Sequence, residues 1–257
     1  MIPLVDTHCH LLAGLDDGPK READALLMCR MAAGEGVAAV VALAHQLGRW
    51  ETVTADRIRQ AARQLAQTVR LAGVPLTVVP GAEIMVQPEI EQAWRQSKLL
   101  SVADRRQYLM LEMPHGLCVD IEQVIPALDK AGVRPILAHP ERHAELLHGR
   151  GRIEELVRAG CLIQISSESI TDPASRRDAR ALKSWLRRGI VHFVGSDGHS
   201  PSARPPRMAA AYERIGRWAG RIVADRVCST NGMAMVQGLP LKVPEPRPPS
   251  RRWLPWR

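Results

Sequence analysis

Short aliphatic and β-branched runs punctuate this chain at about residues 2–6, 38–44, 76–80, 108–112, 134–138, 161–166 and 190–196. Longer stretches with helical spacing separate them. Between Pro19 and Gly36 the apolar positions Ala23, Leu26, Leu27 and Met31 recur in helical steps, and Pro19 suits a first helical position. From Thr54 to Gly73, Ile58, Ala62, Leu65 and Val69 form one stripe that closes at a glycine. Ala181, Leu182, Trp185 and Leu186 do the same between Ala174 and Gly189. Strands alternating with helices predict right-handed βαβ units around a parallel sheet. Seven units within 257 residues fit an α/β barrel better than an open doubly wound sheet.

The polar residues that end these apolar runs favour the barrel too. Asp6-Thr7-His8-Cys9-His10 closes the first run, and residues two apart on a strand share a face. His8 and His10 can therefore meet one metal ion while Cys9 points away. His45, Glu83, Glu112 and His139 follow the second to fifth runs, and Asp197 and His199 repeat the two-residue spacing after the seventh. Asp17, in Asp16-Asp17-Gly18, is a further candidate ligand, although it could equally cap the helix predicted after it. Six of seven strands thus deliver ligands where barrels concentrate their chemistry, at the C-terminal ends of the strands. His115, His143, His148 and His192 obey no such rule and read as structural or surface residues.

Imidazoles and carboxylates without thiolates suit zinc, manganese or iron. Five histidines and four carboxylates exceed what one ion can use, so carboxylates shared between two or three ions are expected. Such a cluster clamps a phosphate during in-line displacement, and without metals its burial would be costly. Arg142 and Arg204 lie close to the ligands in sequence, and a planar guanidinium matches phosphate oxygens.

Composition narrows the classes. Hydrophobic residues make up 46% of the chain, as in a globular protein. No apolar run reaches the roughly 20 residues that span a bilayer, and the first ten residues do not read as a signal peptide. A cytoplasmic protein is expected. The five cysteines lie far apart with no CxxC, which argues against disulfides and thiolate zinc sites. None has an arginine six residues downstream, so a C-x5-R phosphatase loop is absent. Net charge is +8, concentrated between Ala174 and Arg226 and in the Pro/Arg-rich segment 244–257, which is expected to be a flexible tail after a barrel domain spanning 1–243. Aromatic residues are only 4%, too few for an evident base-stacking set, and no nucleic-acid partner is expected.

The blocks DTHCHLLAGLDDGPK, GAEI, YLMLEMP, ILAHPERH and FVGSDGHSPSARPPRM together resemble the PHP (polymerase and histidinol phosphatase) superfamily. More narrowly, the chain resembles the protein tyrosine phosphatases encoded with bacterial capsule and exopolysaccharide genes (CpsB/CapC type). The resemblance implies a distorted (β/α)7 barrel with three divalent ions, manganese foremost, with zinc, iron, cobalt or magnesium as alternatives. By matching motif, His8, His10, Glu83 and Asp197 would hold one ion, Glu83, Glu112 and His139 a second, and Asp17, His45 and His199 a third. Arg142 and Arg204 would grip the phosphate, and His199 is a candidate proton donor to the leaving group. The implied substrate is the phosphotyrosine tail of a membrane-bound bacterial tyrosine autokinase, which would place the enzyme near the inner face of the membrane. One departure stands out: the family's usual Thr-Pro-His-His reads Leu43-Ala44-His45-Gln46 here. Two rival readings remain: a small-molecule phosphatase of the histidinol-phosphatase type, and a non-catalytic protein docking on a kinase or membrane.

Overall fold

The computed structural model describes residues 2–149, 151–241, 243 and 245–248. Its seven strands are all parallel and neighbour one another in chain order. They are β1 (Leu4–His10), β2 (Val37–Gln46), β3 (Thr77–Met85), β4 (Tyr108–Glu112), β5 (Arg134–Ala138), β6 (Leu162–Ser166) and β7 (Phe193–Gly195). Asp197 N donates to His8 O at 2.7 Å and His10 N to Gly198 O at 2.8 Å. These bonds return the last strand to the first, and the predicted seven-stranded TIM-like barrel is the fold observed.

The strands alternate their side chains between two cores. Val41, Leu43, Met110, Ile136, Leu162 and Phe193 pack inside the barrel, where Met235 and Val236 of helix Asn231–Gln237 join them. Val40, Ala42, Leu109, Leu111, Leu137, Ile163 and Val194 face outward, against Met28, Ile58, Leu65, Trp185 and Leu186 of the surrounding helices. Cys9 belongs to this outer layer, opposite the two histidines that flank it.

Three strands outrun their predicted ends. β1, β2 and β3 continue to His10, Gln46 and Met85, through the candidate ligands themselves. Apolarity stops short of these residues, yet the parallel ladder goes on: His45 pairs in register with Glu83, and Glu83 with Met110. The first helix starts later than expected, at Glu22 rather than Pro19. The segment before it is held as a turn, because Gly18 N donates to Asp16 Oδ1 at 2.9 Å and Gly14 N to Pro19 O at 2.9 Å. The other two predicted helices appear as Ala55–Leu71 and Arg176–Arg188, capped by the Thr54 and Ser175 side chains.

Of the expected tail, residues 244 and 249–257 lie outside the described residues. Within 245–248, Arg247 N donates to Arg188 O at 2.9 Å, and Arg188 Nε returns a bond to Arg247 O at 2.7 Å. Among the described residues no helix is long and apolar enough to cross a membrane.

Candidate metal centre

Every predicted ligand arrives at one end of the barrel, and Glu83 stands at the centre. Its Oε2 lies 3.1 Å from His8 Nε2, 3.0 Å from His10 Nε2 and 3.6 Å from His45 Nδ1. Its Oε1 lies 2.7 Å from His139 Nε2. His45 Nδ1 is also 3.1 Å from Glu112 Oε1. Asp197 Oδ1 faces His8 Nε2 at 3.4 Å and His199 Nδ1 at 3.6 Å. Asp17 Oδ1 faces His45 Nε2 at 3.4 Å and His199 Nε2 at 3.5 Å. Asp17 is therefore no helix cap, since Arg21 holds that position.

Donor atoms within 4.8 Å of one another form four overlapping groups: His10–Asp17–His45–His199, His8–His10–Asp197, His8–Glu83–His139 and His45–Glu83–Glu112. The first two groups resemble the expected sets, with His10 added beside Asp17, His45 and His199. The expected set of Glu83, Glu112 and His139 is not one of these groups, since His139 joins Glu83 with His8 and Glu112 joins it with His45.

Two backbone features bring ligands inward. Alternation along β5 puts Ile136 and Ala138 inside the barrel and would send residue 139 outward. His139 instead adopts a left-handed φ of 34°, which carries its ring to Glu83. Asp197 is left-handed as well, at φ 53°. Such conformations cost about 1–3 kcal/mol each for non-glycine residues and concentrate at functional sites. Gly195 makes room beside them, since a Cβ there would lie 2.4 Å from His8 Cβ.

A further set of residues orients the ligands, and the sequence reading missed it. Asp16 Oδ2 accepts from His10 Nδ1 at 2.8 Å and from His45 N at 3.0 Å. Gln164 Oε1 accepts from His8 Nδ1 at 3.1 Å. Asp6 Oδ1 accepts from His8 N at 3.1 Å and Ser196 N at 2.8 Å, tying β1 to the loop after β7. Burial pushes the Asp6 carboxyl up to about 6. With Gln164 on β6, all seven strands serve the site. A lone glutamine inside the apolar run Leu162-Ile163-Gln164-Ile165 was the available signal. Gln46, where the sequence departs from the family pattern, turns away from the centre and bonds the backbone of Val53 and Leu100.

The donor set fits divalent cations. Ligand atoms held about 2.1 Å from one ion lie roughly 3.0–3.4 Å apart. His8 Nε2, His10 Nε2 and Glu83 Oε2 lie 3.2, 3.1 and 3.0 Å apart, forming one face of such a shell. His45 Nδ1 is buried and makes no aligned hydrogen bond, despite two carboxylates nearby. Burial alone would raise the Glu83 carboxyl, yet the His8 and His139 rings hold it well below the usual range. Burial likewise opposes charge on His45, but Asp17 and Glu112 lift it to about 9. The site is thus built around cation–carboxylate attraction.

Arg142 and Arg204 both donate Nη2 to Asp197 Oδ2. Each side chain is 39% exposed, so these guanidiniums rim the centre with donors to spare. His199 Nδ1 donates to the Asp197 carbonyl at 2.9 Å, which leaves Nε2 with its lone pair. Burial and the neighbouring His10 push the His199 pKa down. Both features suit a ligand better than a proton donor. The remaining histidines lie elsewhere. His148 pairs with Asp178 at 2.8 Å, His192 Nδ1 accepts from Ile163 N at 2.9 Å, His143 is buried and His115 is exposed.

A seven-stranded barrel whose strand ends gather imidazoles and shared carboxylates defines a metal-dependent hydrolase. The chain belongs to the family "Capsular polysaccharide synthesis, CpsB/CapC", whose model matches residues 4–237. It is 31% identical over 202 residues to tyrosine-protein phosphatase YwqE of Bacillus subtilis, covering 78% of this chain and 79% of the relative. It is 26% identical over 223 residues to tyrosine-protein phosphatase CpsB of Streptococcus pneumoniae, covering 84% and 91%. Among solved structures, work on YwqE and pneumococcal CpsB, described as unique metal-dependent tyrosine phosphatases, matches with a TM-score of 0.89 at 28% identity, over 96% of this chain and 100% of the other. The β-aspartyl dipeptidase of Fervidobacterium islandicum AW-1 shares the fold alone, with a TM-score of 0.56 at 16% identity over 92% of this chain and 75% of the other.

Proposed function

We propose that this chain is a metal-dependent protein-tyrosine phosphatase of capsule polysaccharide synthesis. The observation that carries the reading is Glu83, whose two oxygens face four imidazoles beneath a rim of two arginines. The family and its tyrosine-phosphatase members support the substrate class. We further propose up to three divalent ions, manganese foremost, held by His8, His10, Asp17, His45, Glu83, Glu112, His139, Asp197 and His199.

Divalent ions at such a site acidify water toward neutrality and offset phosphoryl charge. The protein's own part is placement. Gln164 and Asp16 fix the rings of His8 and His10, so each presents Nε2 to Glu83. Arg142 and Arg204, parked on Asp197, are positioned to move a donor onto phosphoryl oxygens, where charge-assisted bonds are strong. The tyrosinate leaving group has an intrinsic pKa near 10. Cys9, nearest in sequence to the ligands, takes no part, because it lies behind the site and burial pushes its thiol well up.

We propose that the physiological substrate is a phosphotyrosine segment of a membrane-bound bacterial tyrosine autokinase, met in the cytoplasm near the membrane. The basic stretch between Ala174 and Arg226 supports attraction of an acidic segment. Rates on phosphotyrosine peptides and on histidinol phosphate test the substrate class. Higher kcat/KM on the peptides is expected, and preference for histidinol phosphate would establish the small-molecule alternative.

A further inference from the structure

β2 ends in a tight turn at the mouth of the centre. Trp50 N donates to Leu47 O at 2.9 Å, with Leu47 at φ 68° and Gly48 at φ 56°. A Cβ on Gly48 would sit 3.3 Å from Met85 Cγ, so the turn is seated against β3. This turn stacks the Trp50 indole on His45, with centroids 5.9 Å apart and planes 4° from parallel. The Arg49 guanidinium lies over the indole, 5.1 Å from its centroid. Arg49 Nη2 also donates to Asp17 Oδ2 at 3.2 Å.

Arg49 differs from the two rim arginines in place and exposure. Asp17 and Asp197 flank His199, facing its Nε2 at 3.5 Å and its Nδ1 at 3.6 Å. Arg142 and Arg204 approach from the Asp197 side, whereas Arg49 approaches from the Asp17 side. Its side chain is 73% exposed, against 39% for each of the others. Stacking on an aromatic face leaves the in-plane N–H groups of a guanidinium free for a ligand. Among the described residues Arg49 makes only the Asp17 hydrogen bond. With two arginines already placed for the phosphoryl group, the third is left for what lies beyond it.

We infer that Arg49, braced by Trp50, is a specificity-determining residue that binds an anionic group beside the phosphorylated tyrosine, either a carboxylate or a second phosphate. The inference rests on the phosphotyrosine reading above. An anion-bearing neighbour would meet Arg49 while its phosphotyrosine enters between Arg142 and Arg204. Loss of Trp50 would release the guanidinium and blur the selection, and lysine at 49 would keep the charge without the flat stacked donor plane.

Three peptides test this, each with one scissile phosphotyrosine and flanked by glutamine, by glutamate or by a second phosphotyrosine. KM and kcat are compared for the wild type, Arg49→Ala, Arg49→Lys and Trp50→Ala. The wild type should favour the anionic peptides through a KM lower by about tenfold, the scale of one charge-assisted hydrogen bond. Arg49→Ala should erase that preference, with Arg49→Lys and Trp50→Ala falling between. A preference confined to the doubly phosphorylated peptide identifies a phosphate as the anion, and one shared with the glutamate peptide identifies any anion. Equal loss on all three peptides would make Arg49 a support for Asp17 and overturn the inference, as would an unchanged preference. Failure of the wild type on every peptide, with activity on other phosphomonoesters, would overturn the phosphotyrosine reading and this inference with it.

Discussion

Asp16 accepts a hydrogen bond from His10 Nδ1 at 2.8 Å and so aims the ring's other nitrogen at Glu83. Burial alone would raise the Asp16 carboxyl, but His10 holds it below its usual range, so it stays an acceptor at neutral pH. Carboxylate partners of this kind typically contribute 10- to 100-fold, roughly, to metal affinity. Asp16→Asn should therefore weaken metal binding by about that factor, while saturating metal restores most of kcat. Titrating metal-stripped protein and reading activity checks this; an unchanged half-saturation point would contradict it.

The arginines on Asp197 should act on chemistry more than on metal content. Arg142→Ala or Arg204→Ala is expected to lower kcat/KM on an aryl phosphate by about 100-fold, the scale of one lost transition-state donor. Bound metal, measured by elemental analysis, should stay near the wild-type level. Loss of metal in step with activity would instead make these residues props for Asp197.

Gly195 is a packing test of the site. An added methyl group would lie 2.4 Å from His8 Cβ and 2.8 Å from both His8 N and Gln164 Nε2. Backbone cannot yield as a flexible side chain would, so Gly195→Ala should destabilise the fold by roughly 1–3 kcal/mol or more. It should also lower metal occupancy, because His8 must shift. Wild-type thermal stability and metal content together would contradict the geometry.

Much of this centre was legible because strands impose a two-residue period. His8 and His10, like Asp197 and His199, followed from that spacing, and Glu83 and Glu112 from being acids at the ends of apolar runs. His139 stood out by its position after an apolar run, although only its left-handed backbone turns it inward, a feature no spacing rule carries. Asp16 and Asp17 are adjacent in an irregular turn, where no periodicity tells which one faces the metal ligands and which one orients them. Arg49 and Trp50 sit in another such turn, and their roles depend on a stacking geometry that exists only after folding. β1, β2 and β3 run past their apolar stretches because apolar character fades at His10, His45 and Glu83 while the backbone ladder continues.

His192 predicts a pH effect on stability away from the centre. Burial, reinforced by Arg134 and Arg226, pushes its pKa down to about 3 from 6.5. Between these values the unfolded chain takes up a proton that the folded one refuses, so this contribution to stability is full above pH 6.5 and is lost as pH falls. At pH 5 the loss should reach about 2 kcal/mol relative to neutral pH. His192→Asn keeps an acceptor for Ile163 N and should flatten the slope in urea titrations at the two pH values. Equal slopes in variant and wild type would contradict the assignment.

The most direct test of the account is hydrolysis of p-nitrophenyl phosphate by metal-stripped protein, with manganese, zinc, magnesium, cobalt or iron added back one at a time. Activity that is absent without metal, returns with manganese or a similar ion, and survives thiol alkylation is the predicted result. Turnover by fully stripped protein, or its abolition by alkylating cysteines in the metal-loaded form, would contradict a metal centre built on Glu83.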